Sequence, residues 1–208
     1  MISADVLVDY MTRFVGFGSP RASVWFIGLE QGGGESLGEL QRRLVAWTDS
    51  GAAAFADFPD YCARLGDSRW HGPTARVQPT LRKLIRLFLA FSGTPITTQI
   101  VREYQAGAFA TRGGETVIAE LMPLPSRNMS VPALATREAY IERYRPLRTG
   151  LLQSAIAAAA PRVVVFVGFT ALDQDRRSRP APIDETPTTA SRARRRPSHR
   201  PDARRGAC

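Results

Sequence analysis

Lysine, cysteine and histidine are scarce in this chain of 208 residues. It contains one lysine, Lys83, two cysteines, Cys62 and Cys208, and two histidines. Cysteines this few and this far apart form neither a disulfide framework nor a cysteine-rich metal site, which favours a reducing compartment. The sequence also lacks an apolar run long enough to span a bilayer and a basic, apolar leader at its start. We therefore expect a cytoplasmic protein with no membrane contact, no bound metal and no cofactor.

The net charge of +9 is distributed unevenly along the chain. Residues 173–208 carry ten arginines against five acidic residues, which leaves about +4 for residues 1–172. A basic chain favours an anionic partner, and nucleic acid is the first candidate. The only strongly apolar residues in 173–208 are Ile183 and Cys208. This segment cannot bury enough surface to offset the entropy of ordering, so we expect a disordered basic tail.

Two interpretations of residues 173–208 stay open. One is a genuine tail that binds nucleic acid loosely. The other is an out-of-frame segment, because arginine in place of lysine indicates GC-rich codons, whose shifted translation yields sequence rich in Arg, Pro, Ala and Ser. The composition changes directly after an apolar run and Leu172. We therefore expect the domain of residues 1–172 to be incomplete at its C-terminal end.

Three short apolar runs, each broken by glycine or proline, indicate buried parallel strands. They are Val24 to Leu29, Thr116 to Met122 and Val163 to Val167. The carboxyl ends of such strands meet at one edge of an open α/β sheet, where ligands bind. With 44% hydrophobic residues the chain can bury one core. The expected fold is a three-layer αβα sandwich with a short, mostly parallel central sheet.

Apolar residues at helical spacing predict helices between these strands. The stripes run from Val6 to Phe14, Leu37 to Trp47, Pro79 to Ala90 and Thr136 to Ala159, with a shorter one from Ile96 to Tyr104. Pro79 suits a first helical turn, with Gln78 or Val77 near the cap. In the longest stripe, Tyr144, Leu147 and Leu151 are expected to be buried.

An aromatic stretch follows neither pattern. It contains Phe55, Phe58, Tyr61 and Trp70. Such rings favour buried anchors of a long insertion, with stacking on a nucleobase as the alternative.

The order of these segments resembles the uracil-DNA glycosylase superfamily, most closely its thermophile-type branch, which carries an iron-sulfur cluster. Gly28-Leu29-Glu30-Gln31-Gly32 is similar to the segment after the family's first strand, which forms the floor of the base pocket. Glu120 to Asn128 resembles its second strand and proline-rich loop, and Leu147 to Leu172 resembles its long helix, valine strand and glycine. Order and spacing carry the resemblance, which covers roughly residues 22–34 and 70–172.

The resemblance implies hydrolysis of the N-glycosidic bond of a flipped damaged base, uracil or a related one, in DNA. It implies that Glu30 is the catalytic residue, as a water-orienting base or an electrostatic stabiliser. The implied substrate-binding residues are Gly28, Gln31, Gly32, Gly33, Glu120, Pro123, Ser126 and Asn128. The basic side of the helix from Pro79 to Ala90, with Arg82, Lys83 and Arg86, is either a solvated face or a face that binds DNA phosphates. Arg127 is a further expected DNA-binding residue. We expect a monomer, inactive as written if its C-terminal part is missing.

The chain departs from the family at three places. Glu120 stands where the family commonly has an asparagine, and an ionised glutamate only accepts hydrogen bonds, which leaves the target base open. The cluster-binding cysteines are absent from the matching positions. The family's histidine-containing loop has only Pro197-Ser198-His199-Arg200-Pro201 as a counterpart, with no apolar strand before it.

Three alternatives stay open. One is a non-enzymatic nucleic-acid-binding protein on the same scaffold, using the helix around Arg82 and the tail. Another is a nucleotide or small-phosphate enzyme of flavodoxin-like type, with the glycines after Leu29 as a phosphate cradle, although the chain has neither a P-loop nor a dinucleotide fingerprint. The third is purely structural: Glu30 caps the next helix, and the glycines only turn the chain.

Overall fold

The computed structural model describes residues 3–33, 36–124 and 137–168. These residues form six helices and five strands. In chain order they are α1 (Ala4–Arg13), β1 (Gly16–Gly18), β2 (Val24–Glu30), α2 (Leu37–Asp49), β3 (Phe55–Ala56), α3 (Phe58–Arg64), α4 (Pro79–Phe91), α5 (Thr98–Gly107), β4 (Thr116–Met122), α6 (Arg137–Ala159) and β5 (Val163–Val167). None of these helices combines the length and apolarity needed to cross a bilayer.

The strands form one mixed sheet in the order β3-β1-β4-β2-β5. Three of its four pairings are parallel, and only β1 with β4 is antiparallel. The three predicted strands are confirmed and lie side by side, with β2 between β4 and β5. Gly28 is opposite Glu120 on one side and Val167 on the other. The carboxyl ends of all three strands therefore lie at one edge, and the expected α/β class with a mostly parallel sheet is confirmed.

Strands β1 and β3 are absent from the sequence prediction. The sequence pattern ends the first helix at Gly16 and Gly18, but the chain re-enters the sheet there, with Phe17 opposite Ile118. Gly16 is required at this point, because a Cβ on it would lie 2.8 Å from the Cβ of Ala119. Strand β3 and helix α3 occupy the aromatic stretch that showed no regular period. Strands β1 and β3 form because glycine fits there and because the chain pairs with the rest of the sheet, and not because of a local sequence pattern.

The core is rich in aromatic side chains that join α1 to the sheet. Tyr10 stacks on Phe14 with ring centroids 4.8 Å apart and meets Trp47 of α2 edge-on at 5.1 Å. Phe14 in turn meets Phe17 of β1 edge-on at 5.1 Å. Aromatic pairs of this geometry add to the stabilisation that burial alone provides. The N-terminal helix is thereby fixed against α2 and the sheet.

The buried cation of the fold is Arg148, in the middle of α6. Its side chain is fully buried. Nε donates to the carbonyl of Leu121 at 3.1 Å, and Nη2 donates to the carbonyl of Glu120 at 2.9 Å. Nη1 donates to the carbonyl of Met11 at 3.3 Å and to that of Phe14. A single guanidinium thus joins α6 to the end of β4 and to the last turn of α1.

This arrangement corrects the stripe expected for α6. Leu147, for which the pattern predicts burial, is 52% exposed, whereas Arg148 faces the core. The buried positions Tyr140, Tyr144, Arg148 and Leu152 recur every four residues. A search for apolar patterns excludes arginine, so it selects the neighbouring leucine instead.

Arg148→Met should lower the free energy of unfolding by about 3–5 kcal/mol, because it leaves buried carbonyls without donors. Arg148→Lys should recover only part of this loss, since one ammonium group cannot reproduce the planar fork of donors. Chemical denaturation measures both effects. Arg145→Met, at an exposed position of the same helix, is the control and should change little. Equal stability of Arg148→Met and the wild type would contradict the stabilising role of the hydrogen bonds from Arg148 to the buried carbonyls.

Candidate functional site

The candidate site lies at the carboxyl ends of β2 and β4. A cavity of about 490 Å³ opens there, within the range of small-molecule sites. Its wall includes Glu30, Gln31 and Gly32 from the end of β2 and Glu120 from β4. Aromatic rings from elsewhere in the chain complete it: Phe14, Phe17, Phe58, Tyr61 and Trp70. The structure thus brings together four of the residues expected at the site from the sequence.

Gly28 and Glu120 are direct neighbours in the sheet, and only Glu120 of the two lines the cavity. They are opposite each other in the parallel pairing of β2 and β4. The carboxyl group of Glu120 covers Gly28 so closely that a Cβ on Gly28 would collide with Oε2 of Glu120. The role of Gly28 is therefore to leave room for this carboxyl group. Glu30, two residues further along β2, is on the same face as Gly28.

Glu120 is an acid of the site with a strongly raised pKa. Its Oε2 is buried and has no hydrogen-bond partner within the described chain. Burial, followed by the charge of Glu30, raises the pKa of Glu120 to about 8, against the opposing positive charge of Arg148. The carboxyl group is therefore mostly protonated at pH 7. This corrects the premise that Glu120 is ionised and can only accept hydrogen bonds.

The charge of Glu30 acts on two neighbours. It raises the pKa of Glu120 and that of the Tyr140 hydroxyl on α6. The alternative that Glu30 caps the following helix is not what the structure contains. Ser36 caps α2 instead, with its hydroxyl accepting from the backbone N–H of Glu39 at 3.2 Å. Glu30 lines the cavity.

The loop after β2 is held by Arg43 of α2. Nη1 of Arg43 donates to Oε1 of Gln31 at 2.7 Å, and Nη2 donates to the carbonyl of Gly32 at 2.9 Å. The same guanidinium forms an ion pair with Glu39 at 2.7 Å. Gly33 has a φ of +102°, and a Cβ on it would collide with Glu39 and Arg43. Arg43 fixes this loop, and no sequence motif points to it.

The remaining glycines of the loop are less constrained. Gly32 is exposed, and a Cβ on it would meet open space. Gly34, whose backbone is expected to approach a phosphate or a base together with Gly32 and Gly33, lies outside the described residues. The expected close approach of this backbone to a ligand therefore remains a prediction.

A buried glutamine holds the segment that carries Trp70 to the cavity. Nε2 of Gln105 donates to the carbonyls of Trp70 at 3.0 Å and Arg76 at 2.7 Å. Its Oε1 accepts from the backbone N–H of Gln78 at 2.9 Å. The Gln78 side chain in turn caps α4 by accepting from the N–H of Leu81 at 2.6 Å, which confirms the expected cap. The sequence does not predict this role of Gln105, because a single polar residue among the apolar positions of a helix belongs to no recognisable pattern.

The expectation of buried anchors in the aromatic stretch is met in part, whereas stacking on a nucleobase stays a prediction. Tyr61 is buried in the core and is one of the anchors expected. Phe58 and Trp70 are half-buried and line the cavity. His71 lies next to them, with its ring edge-on to Phe58 at 5.0 Å, and burial lowers its pKa. The stretch therefore supplies both core contacts and one wall of the site.

Three of the four basic residues expected to bind DNA lie on α4. Arg82, Lys83 and Arg86 are exposed, and no acidic side chain in the described chain forms an ion pair with them. The first turn of this helix reaches the cavity through Thr80 and Leu81. The same helix therefore joins the basic surface to the candidate site.

Other expected site residues, including Gly28 and Gly33, do not line the cavity. Pro123 is buried directly after β4 and does not line it. Ser126, Arg127 and Asn128 lie outside the described residues, as does the segment 173–208. Among residues 3–33, 36–124 and 137–168, no cluster of three or more His, Cys, Asp or Glu side chains is suited to hold a metal ion.

Comparisons with protein-family models, with curated proteins and with solved structures find no match for this chain. The function is therefore argued from the cavity and its residues.

Glu120→Gln should change how stability depends on pH. The raised pKa of Glu120 means that its contribution to stability is complete below the ordinary glutamate pKa of 4.5 and is lost as pH rises towards about 8. In the wild type, the free energy of unfolding should fall by up to about 1.4 kcal/mol for each pH unit in this window. A glutamine does not ionise, so the variant should lack this loss. Urea denaturation at pH 5 and pH 8 measures the difference.

The control for this experiment is Glu142→Gln, at an exposed position of α6. It should retain the wild-type dependence of stability on pH. If Glu120→Gln also retained it, Glu120 would not be the group that titrates in this window.

Proposed function

We propose that this protein is a DNA glycosylase, which binds an extruded base in the cavity and hydrolyses its N-glycosidic bond. The observation that carries this proposal is the pair of carboxyl groups in one aromatic-lined cavity, of which Glu120 is mostly neutral. Pairs of acids with their pKa values pushed apart are typical of sites that divide acid and base roles. The resemblance of the strand ends to uracil-DNA glycosylases gives the reaction class.

Glu30 is assigned to the sugar side of the reaction. When the bond between C1′ and the base breaks, the electron pair leaves with the base, and positive charge develops on the sugar. A carboxylate at the end of β2 stabilises that charge and accepts a proton from the water that adds to C1′. That proton passes on to the departing base, which regenerates the carboxylate, so one water is consumed and the products are an abasic sugar and a free base.

The aromatic rings of the cavity are assigned to the base itself. Phe58 and Trp70 are half-buried and present apolar faces. Stacking on such rings contributes about 1–3 kcal/mol per base and tolerates different bases. It offsets part of the free energy required to move a nucleotide out of the DNA stack.

Glu30→Gln should reduce the formation of abasic sites in uracil-containing oligonucleotides by about a hundredfold or more, which is the usual contribution of a positioned acid or base. The assay is alkaline cleavage of end-labelled single- and double-stranded DNA. Glu142→Gln, exposed on α6, is the matched control and should keep full activity. Unchanged activity of Glu30→Gln would contradict the role of Glu30. The absence of base release both by this chain and by a version with a restored C-terminal part would contradict the glycosylase proposal.

A second candidate is nucleic-acid binding without catalysis, favoured by the exposed basic face of α4. Replacing Arg82, Lys83 and Arg86 together with glutamine should weaken DNA binding. The plot of log affinity against log salt concentration has a negative slope. The variant should make this slope less steep by about 0.9 for each phosphate that it no longer neutralises. Fluorescence anisotropy at salt concentrations from about 50 to about 200 mM measures the affinity and its dependence on salt.

The control replaces three other exposed arginines with glutamine: Arg102, Arg145 and Arg162. Equal slopes for the two triple variants would show that DNA does not use the α4 face. Salt-dependent binding without base release would favour this second candidate over the enzyme.

A further inference from the structure

We propose that the groove between α2 and the segment after α3 binds the DNA phosphates next to the extruded nucleotide. This arginine groove has a volume of about 400 Å³ and carries six polar side chains: Glu39, Arg42, Arg43, Asp67, Ser68 and Arg69. The inference rests on the proposed function, because it places the DNA backbone beside the cavity that receives the base. Residues 36–69 lie outside the segments that resemble uracil-DNA glycosylases, so the resemblance does not imply this surface.

The arginine groove adjoins the candidate cavity. Arg43, Leu65 and Asp67 line both of them. Arg69 lines the groove, and the next residue, Trp70, lines the cavity. A nucleotide that leaves the DNA stack rotates about its backbone, so its base enters the pocket while the phosphates on either side stay at the mouth. A surface that contacts those phosphates therefore has to lie next to the cavity, as this groove does.

The charges in the groove favour an anion. It contains three arginines and two carboxylates, which gives a net charge of +1. Arg43 is paired with Glu39 at 2.7 Å, and Arg69 is paired with Asp67 at 2.7 Å. Arg42 is exposed and forms no ion pair within the described chain. Its guanidinium can therefore bind a phosphate, whose geometry it matches.

Arg69 is already held in position by the protein. Its Nε donates to Oδ1 of Asp67 at 2.8 Å, and its Nη2 donates to Oδ2 at 2.7 Å. These two parallel bonds fix the plane of the guanidinium, whose Cζ lies 5.1 Å from the ring centroid of Trp70. Nη1 takes part in neither bond and can donate to a phosphate. Arg69 and Trp70 thus place a cation beside an aromatic ring, a combination typical of surfaces that bind a nucleic-acid strand.

The test is fluorescence anisotropy of the full chain with a labelled DNA duplex that contains one 2′-fluoro-2′-deoxyuridine. The fluorine destabilises positive charge on the sugar, so binding is measured without cleavage of the N-glycosidic bond. Arg42→Gln/Arg69→Gln should bind this DNA more weakly than the wild type does. Its plot of log affinity against log salt concentration should be less steep by about 0.9 for each phosphate contact that is lost.

The matched protein control is Arg102→Gln/Arg145→Gln, which removes two exposed arginines on α5 and α6. It changes the net charge by the same amount and should keep the wild-type slope. The basic segment 173–208 is present in all three proteins, so a difference between the two double variants reports on the arginine groove.

Neutral phosphate analogues locate the contact on the DNA. Methylphosphonates on both sides of the target nucleotide should weaken binding by the wild type on the order of tenfold for each contacted phosphate at about 50 mM salt. The same substitution about ten base pairs away, one helical turn, is the DNA control and should weaken binding less. Arg42→Gln/Arg69→Gln should lose the sensitivity to the flanking substitution. Equal slopes for the two double variants would overturn the inference, as would equal sensitivity of Arg42→Gln/Arg69→Gln and the wild type to the flanking methylphosphonates.

Base release from DNA that contains unmodified uracil is measured on the same preparations and on a version with a restored C-terminal part. If the groove variant loses the phosphate contacts but neither form of the wild type releases a base, the glycosylase proposal is refuted and the arginine groove stands as a DNA-binding surface. Base release together with equal slopes for the two double variants would refute the role of the groove and leave the glycosylase proposal standing.

Discussion

The hydrogen bonds of Arg148 hold together the three elements on which the site depends. A buried guanidinium is tolerated only when its donors are satisfied, and here backbone carbonyls accept from all three of its nitrogens. Those of Met11 and Phe14 belong to the end of α1, where a helix leaves its last carbonyls without internal partners and a positive charge is favourable. The carbonyl groups of Glu120 and Leu121 follow Ala119, which is the last residue of β4 that pairs with β1. One side chain therefore fixes the end of the strand that carries the cavity carboxyl group.

The same residue, Glu120, connects this support to the chemistry of the site. Its backbone carbonyl accepts from Arg148, while its side chain covers Gly28 of β2 and lines the cavity. The positive charge of Arg148 favours the ionised carboxylate, but burial and the charge of Glu30 outweigh it. The result is a neutral acid beside a second carboxyl group. This asymmetry follows from the depth of the pocket and the spacing of two strands, and it allows the two acids to take different roles.

The sequence predicts most of the framework and part of the site. The runs at Val24, Thr116 and Val163 predict three adjacent strands, because buried parallel strands are continuously apolar and end at glycine or proline. They also place Gly28, Glu30 and Glu120 at one edge of the sheet, where the structure brings them together. The side-chain pattern fails where long-range contacts decide: Gly16 lies in a strand because only glycine fits beside Ala119, and Arg148 replaces the expected Leu147 in the core.

The residues that position the site could not be predicted for the same reason. Arg43 and Gln105 act through hydrogen bonds to backbone or side chains 11 to 35 residues away in sequence. Neither belongs to a motif, and each has the ordinary appearance of a polar residue on a helix. The protonation of Glu120 likewise depends on burial and on Glu30, which no local pattern records.

The most direct test of this account is the pKa of Glu120 itself. Carbon-13 NMR of glutamate labelled at Cδ follows each carboxyl group through a pH titration, and the signal missing from Glu120→Gln identifies that of Glu120. The account predicts a midpoint of about 8. A midpoint near the ordinary glutamate value of 4.5 would mean that the carboxyl group is ionised at neutral pH, and it would contradict the neutral-acid site described above.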